Sequence, residues 1–167
     1  MLTNLLFPWL PGLRLDALAV VDDTICLTLT VVNLDAVCPR CAQSSTAIHS
    51  HYQRTAADLP WAGAVVRLLL HVRKFFCRNR ACPQTIFTER PPQLLAPFAR
   101  RTQRLQQEQR HLGLDLGGEA GARTARRQGM PTSPNTLLRL VRRTPPRDHP
   151  TPTVLGIDDF AVRKGRT

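Results

Sequence analysis

At 167 residues the chain has room for one ordinary domain or two small ones, and not for a large enzyme. Its 23 Lys and Arg against 12 Asp and Glu leave a net charge of +11, every cation except Lys74 and Lys164 being arginine, while a 43% apolar share is enough for a core and excludes disorder throughout. It has no apolar run of about 18 residues to cross a membrane, and Pro8, Pro11, Arg14 and Asp16 interrupt the stretch where a signal peptide would be apolar, so composition points to a soluble, intracellular protein with an acidic partner.

Leu13 to Val20 and Thr24 to Val32 read as two strands. In the second, Ile25, Leu27, Leu29 and Val31 alternate with Thr24, Cys26, Thr28 and Thr30, which is period two with β-branched residues on both faces. Asp22-Asp23 between them is turn chemistry, so a hairpin is predicted. Val65 to Lys74 alternates again, Val66, Leu68, Leu70 and Val72 against Arg67, Leu69, His71 and Arg73, as a half-buried strand with a partly basic outer face. Pro91-Pro92 and Pro97 bracket a short uncharged stretch that reads as a linker and domain boundary.

Beyond it the pattern turns helical. Phe98 to Leu112 places Phe98, Leu105 and Leu112 on one stripe with Gly113 as a stop, and Gly118 to Gln128 is rich in Ala and Arg and stops at Gly129. Ser133-Pro134 is a helix start, a capping hydroxyl followed by Pro at the first helical position. That helix runs to about Arg143 with Leu137, Leu140 and Val141 on its apolar side. Thr144 to Thr153 is an extended Pro-rich linker.

Four of the five cysteines form two close pairs, Cys38-Pro-Arg-Cys41 and Cys77-Arg-Asn-Arg-Ala-Cys82. This is the layout of a structural four-thiolate Zn2+ site, in which each pair chelates from a tight turn. Arg40, Arg78 and Arg80 within the turns suit a cluster of net charge −2 and favour the thiolates. Two alternatives compete: disulfides, which would need an oxidising compartment, and thiols that are reactive or merely buried. His49 and His51 lie between the pairs without finger spacing and fit a polar surface or a phosphate contact. Cys26, on a strand face, fits a small half-buried residue rather than a fifth ligand.

The charge is concentrated in the middle of the chain. Residues 1–37 hold one cation against four acids, residues 38–90 eight against two, residues 98–143 ten against three, and residues 144–167 four against three. Basic tails put their charge at an end, so the distribution points to nucleic acid as the partner of folded modules. Two short helices joined by residues 129–133, the second amphipathic with Asn and Arg outward, are what a helix-turn-helix requires. Asn135, Thr136, Arg139, Arg142 and Arg143 would then face a major groove, Ser133 a phosphate, and Arg123, Arg126 and Arg127 the DNA backbone. A helical bundle with a solvated basic face is the competing reading. An RNA-binding ribbon fits the charge but has few aromatics for stacking.

Several segments in order, CPRC, HSHYQRTAADLPWAG, VRLLLHVRKFFCRNRACPQTIFTER, GGEAGARTARRQGM, SPNTLLRLVRR and VLGIDDFAVRKGRT, resemble the ISL three family of insertion-sequence transposases from about Leu13 to Thr167. The resemblance implies an α+β chain. Its parts are an N-terminal β-hairpin (1–37), a four-cysteine zinc-binding module (38–90), a helix-turn-helix DNA-binding module (98–143), a Pro-rich linker (144–153) and the first strand of a ribonuclease-H-like D-D-E domain (154–167). It implies Cys38, Cys41, Cys77 and Cys82 as the zinc ligands, terminal inverted repeats of DNA as the partner, a full-length transposase as a further partner, no membrane, and a bacterial cytoplasmic, nucleoid-associated location. Asp158 takes the place of the first catalytic carboxylate, one of three that hold two Mg2+ ions in a complete domain. Adjacent Asp159 points to the opposite strand face. The chain ends eight residues after Asp159, so a truncated transposase is expected, catalytically incompetent, with Asp158 vestigial and Mg2+ relevant only to a complete domain. The alternatives are a stand-alone zinc-ribbon and helix-turn-helix transcription regulator, which leaves VLGIDDFAVRKGRT unexplained, and an enzyme completed by a second chain.

Overall fold

The computed structural model describes residues 12–143; the linker at 144–153 and the segment 154–167 with Asp158 lie outside the described residues. The fold is α+β. Among the described residues seven strands come first: β1 (Leu13–Val21), β2 (Thr24–Val31), β3 (Ala36–Val37), β4 (Ser44–Ser45), β5 (Ile48–Trp61), β6 (Ala64–Phe76) and β7 (Ile86–Thr88). Two helices follow, α1 (Gln103–Arg127) and α2 (Pro134–Arg142). Among the described residues no helix is long and apolar enough to cross a membrane.

The predicted hairpin is β1–β2, closed by Asp22 and Asp23 at φ of 46° and 59°, the paired left-handed geometry of a two-residue turn that matches strand twist. The main sheet has the order β1-β2-β6-β5, with β2 and β6 parallel and the other pairs antiparallel. β7 pairs with residues 74–76 of β6, on the side that β2 leaves open beyond its last pairing, Thr30 with His71. The sheet is therefore continuous across residue 37. Its core is the alternation read from sequence: Leu27, Leu29, Val31, Val66, Leu68, Leu70 and Val72 are all buried.

β5 has no counterpart among the predicted strands. Its sequence, IHSHYQRTAADLPW, lacks apolar alternation because its inward positions near the helices are Ala56 and Asp58 rather than large hydrophobes. It is a strand because β6 pairs with it over nearly its whole length; the register slips only near its two ends, once at Asp58–Trp61 around Pro60, which has no N–H to give.

Residues 91–97 differ from the linker expected there. Leu94 and Leu95 are 2% and 1% exposed and belong to the sheet core, and both N–H groups donate to the Pro91 carbonyl at 3.0 Å. An uncharged Pro-bracketed stretch reads alike whether it spans solvent or caps a core; here two leucines decide for the core.

The helical part also departs in detail. The first helix begins at Gln103 and not near Phe98, with Thr102 as its cap accepting from the Leu105 N–H, and Phe98 lies outside it, 91% exposed. It runs through Gly113 and breaks at Gly117 (φ 71°, ψ −168°). Gly113 is instead a close-packing position, where a Cβ would sit 3.0 Å from Val141 Cγ2. Gly129 is the stop, at φ 75°. α2 begins as predicted, with Ser133 as cap and Pro134 in the first turn, and drives fully buried Leu137 against both arms of α1. At Gly121 a Cβ would lie 2.9 Å from the Leu112 carbonyl oxygen and from Leu137 Cδ1. Gly121→Ala is therefore expected to cost about 1–3 kcal/mol through overpacking, despite alanine's better helix propensity. A denaturation midpoint equal to or above that of the parent would show the arms are not this close.

The helices dock on β5. Leu105, Ala125 and Met130 pack on Ala57 and Leu59, and Ala57 exchanges backbone hydrogen bonds with Arg100 and Thr102 at 2.9 Å each. Asp58, 2% exposed, accepts from Thr102 Oγ1 at 2.6 Å and Arg104 Nε at 2.7 Å, and pairs with the Arg104 guanidinium through a second contact.

Candidate metal centre

The four predicted cysteines converge at one end of the sheet. β6 runs out at Phe76 directly into Cys77, and the turn that carries Cys38 and Cys41 is closed by the short ribbon β3–β4. Cys38 N–H donates to the Gln43 carbonyl at 2.8 Å and Ala42 N–H to the Cys38 carbonyl at 2.9 Å, with Ala42 at φ 59°. In the second turn Cys77 N–H donates to the Thr85 carbonyl at 2.8 Å and Cys82 N–H to the Asn79 carbonyl at 3.0 Å. The Ser45 hydroxyl ties the ribbon to the end of β6 by donating to the Phe76 carbonyl at 2.6 Å.

The four Sγ atoms all lie within 4.8 Å of one another, and Cys41 Sγ and Cys77 Sγ are 3.6 Å apart. A tetrahedron of sulfurs at 2.3 Å from zinc has edges of about 3.8 Å, so the set fits that ion. A disulfide needs about 2.05 Å, and all five cysteines are free thiols. Backbone N–H groups two residues on, from Gln43, Asn79 and Gln84, point at the sulfurs of Cys41, Cys77 and Cys82. These donors favour thiolate, and in Cys41 they prevail: the Gln43 N–H first, with neighbouring groups, brings the thiol down to about 7. At Cys77 the Asn79 N–H acts the same way but is outweighed by burial and by Cys41, Cys38 and Cys82, which push the thiol up to about 12. Cys82 is raised as well, its Gln84 N–H outweighed by burial and by Cys41 and Cys38. Four thiols this close cannot all ionise without a cation among them, which is the demand Zn2+ meets. When bound, the ion cross-links the two turns.

Beneath the sulfurs lies a small apolar base. Phe75 and Phe87 stack at 5.9 Å and are buried with Cys38, and Ala36, Cys41, Cys77 and Cys82 pack against them. The two rings were not singled out in the sequence: the β6 alternation carried one step further reaches Lys74, and Phe75 falls out of phase with it, beside the register shift between Ile48 and Ser50. Arg40, Arg78 and Arg80 are exposed around the turns, with Arg78 over the Phe76 ring at 5.6 Å. His49 and His51 are exposed on β5, His49 edge-on to Phe76 at 4.8 Å, and neither joins the sulfur set. Cys26 sits half-buried opposite Arg67, ten residues back along β6 from Cys77. Arg73, expected on a basic face, is committed internally: Glu89 takes its guanidinium at 2.8 and 3.1 Å and its backbone N–H at 2.6 Å.

The residues predicted on the helices are brought to the surface of one unit. Arg123, Arg126 and Arg127 are exposed together on the second arm of α1. On α2, Asn135, Arg139 and Arg142 are exposed, Arg143 follows at its cap, and Thr136 is half-buried. Ser133 Oγ accepts from the Thr136 N–H at 3.3 Å and shares a hydrogen bond with Thr136 Oγ1 at 2.9 Å.

The family model of the zinc-finger of transposase IS204/IS1001/IS1096/IS1165 matches residues 35–82. Neither a curated protein nor a solved structure matches the chain. The match begins three residues before Cys38 and ends on Cys82, enclosing all four sulfurs and the strands that position them. Residues 35–82 are thus similar to a transposase zinc ribbon, and Cys38, Cys41, Cys77 and Cys82 form its zinc-binding group.

Proposed function

We propose that the chain is a zinc-dependent, sequence-specific DNA-binding protein of insertion-sequence transposition, recognising terminal inverted repeats. In this reading the second arm of α1, the turn at 129–133 and α2 act as a helix-turn-helix. The observation that carries it is the face of α2: Leu137 fixes the helix from below while Asn135, Arg139 and Arg142, spaced i, i+4, i+7, stand exposed on the opposite side. Asn and Arg are the side chains that pair bidentately with adenine and guanine edges. Arg123, Arg126 and Arg127 supply backbone contacts, and the similarity of residues 35–82 to a transposase zinc finger supports transposition as the process. The reading assigns DNA binding, and neither cutting nor joining, to residues 12–143.

The test is selection of a binding site from a random duplex pool by the full zinc-loaded chain, followed by comparison with the repeats flanking its gene. Asn135→Ala and Arg139→Ala are each expected to lose about 1–3 kcal/mol against the selected site and much less against unrelated duplex. Equal losses on both duplexes would remove α2 as the reading helix, and no selected sequence would remove the function.

A further inference from the structure

The DNA contacts proposed so far lie on the helices and their caps, yet the basic surface continues onto the sheet. Two grooves meet at Pro97 and Phe98. One runs between the 96–101 segment and α2 and holds Arg100, Arg101, Arg139 and Arg143. The other runs over the sheet and holds Arg54, Lys74 and Arg90 beside Tyr52. Together these seven cations line a path with no carboxylate among its lining residues.

Phe98 stands where the grooves join, 91% exposed and at φ 60°. A bulky side chain in the left-handed region is rare, and here the flanking chain enforces it: Leu94 and Leu95 are buried on one side, and the Arg100 carbonyl is held by the Ala57 N–H on the other. Arg54 adds a further tie, donating to the Ala99 carbonyl at 2.9 Å. The phenyl is thus fixed outward on a rigid loop between arginines. Half-buried Arg101 has its pKa lowered by burial and then by Arg139, two like charges held together as an anion would require.

We infer that this path is a second DNA-contact surface, in which Arg100, Arg101, Arg54, Lys74 and Arg90 follow the phosphates of the duplex beside the segment read by α2, with Phe98 as an apolar wedge in its minor groove. The inference rests on the proposed reading of α2 and extends the footprint across the sheet. An apolar wedge flanked by arginines is a recurring minor-groove device, and phosphate contacts position a protein without reading sequence.

The experiment measures affinity of the full, zinc-loaded chain for its selected duplex against salt. Lys74→Gln with Arg90→Gln removes two cations that belong neither to α2 nor to the zinc-binding group. The slope of log K against log salt is expected to become shallower by about 1.8, at 0.9 per lost phosphate contact, with sequence preference retained and the footprint shortened on one side. The Arg100→Gln, Arg101→Gln pair should do the same, Lys74→Arg should keep the parental slope, and Phe98→Ala should weaken binding without changing the slope. Parental slopes for both charge-removing pairs, in variants with full zinc content and native circular dichroism, overturn the inference while leaving α2 as the reader. A changed slope on single-stranded DNA alone overturns the duplex assignment. Loss of preference confined to the Asn135 and Arg139 variants supports the helix reading separately, and a parent chain that binds no duplex overturns both.

Discussion

Stripping the metal with a chelator is expected to unfold residues 36–45 and 77–88 while the sheet around Leu29, Leu68 and Leu70 survives. The two regions rest on separate apolar clusters, a large one under the sheet and a small one of Phe75, Phe87 and Cys38. Burying a phenylalanine supplies about 1.5–3 kcal/mol, whereas a structural four-thiolate zinc supplies on the order of 10 kcal/mol. At the sulfur end the metal dominates; in the sheet core it is not needed. Amide exchange should show protection lost in those two stretches and kept in β2 and in β6 up to about Val72. Cys77→Ser should reproduce the pattern and Cys26→Ser should not. Unchanged protection after complete chelation would mean that the ion has no structural role. Acid should weaken the metal, since bound ligands are thiolates. Cys77 and Cys82, both raised, give up protons on binding at neutral pH, and Cys41, at about 7, adds another below that value. Affinity should therefore fall as pH falls, and more steeply below about 7.

Arg104→Ala is expected to destabilise the chain by about 3 kcal/mol, because it leaves the fully buried Asp58 carboxylate without its cation. Thr102 Oγ1 would remain as a partner, and a single neutral hydroxyl does not offset the desolvation of a charge. For a chain of this size the loss corresponds to a fall in Tm of roughly 10 °C. A double-mutant cycle gives the sharper reading. With Asp58→Ala added, no charge is left stranded, and the double variant should be more stable than the sum of the single changes. Additive losses would show that the pair does not couple. The site matters because Asp58 joins β5 to the start of α1, and so fixes the helices on the sheet.

The sequence patterns that proved legible were those written into adjacent residues. Alternation of Ile25 to Val31 and of Val66 to Val72 marked two buried strand faces, and Asp22-Asp23 marked the turn between β1 and β2. Ser133-Pro134 marked the start of α2, where a cap and its helix are neighbours in the chain. The two cysteine pairs were legible as a metal set because chelation from a tight turn dictates their spacing. Gly113 misled because a glycine that lets helices touch and one that ends a helix look the same in one dimension. β5 was missed because its inward side near the helices is filled by Ala56 and Asp58, which carry no hydrophobic period.

By itself the sequence determined two buried strand faces, the four-cysteine set and the excess of arginine, since each depends on residue type and local spacing alone. Tertiary structure decided which cations remain outward. Arg73 is spent on Glu89 and Arg104 on Asp58, partners 16 and 46 residues away in the chain, whereas Arg54, Lys74, Arg90, Arg100 and Arg101 are gathered along one path. It also turned a supposed linker into the lid of the core and the base of an exposed Phe98. Net charge counts every arginine alike; only the packing of distant segments, which sets the distance to a carboxylate and the exposure to water, separates those paired with a carboxylate from those left without one.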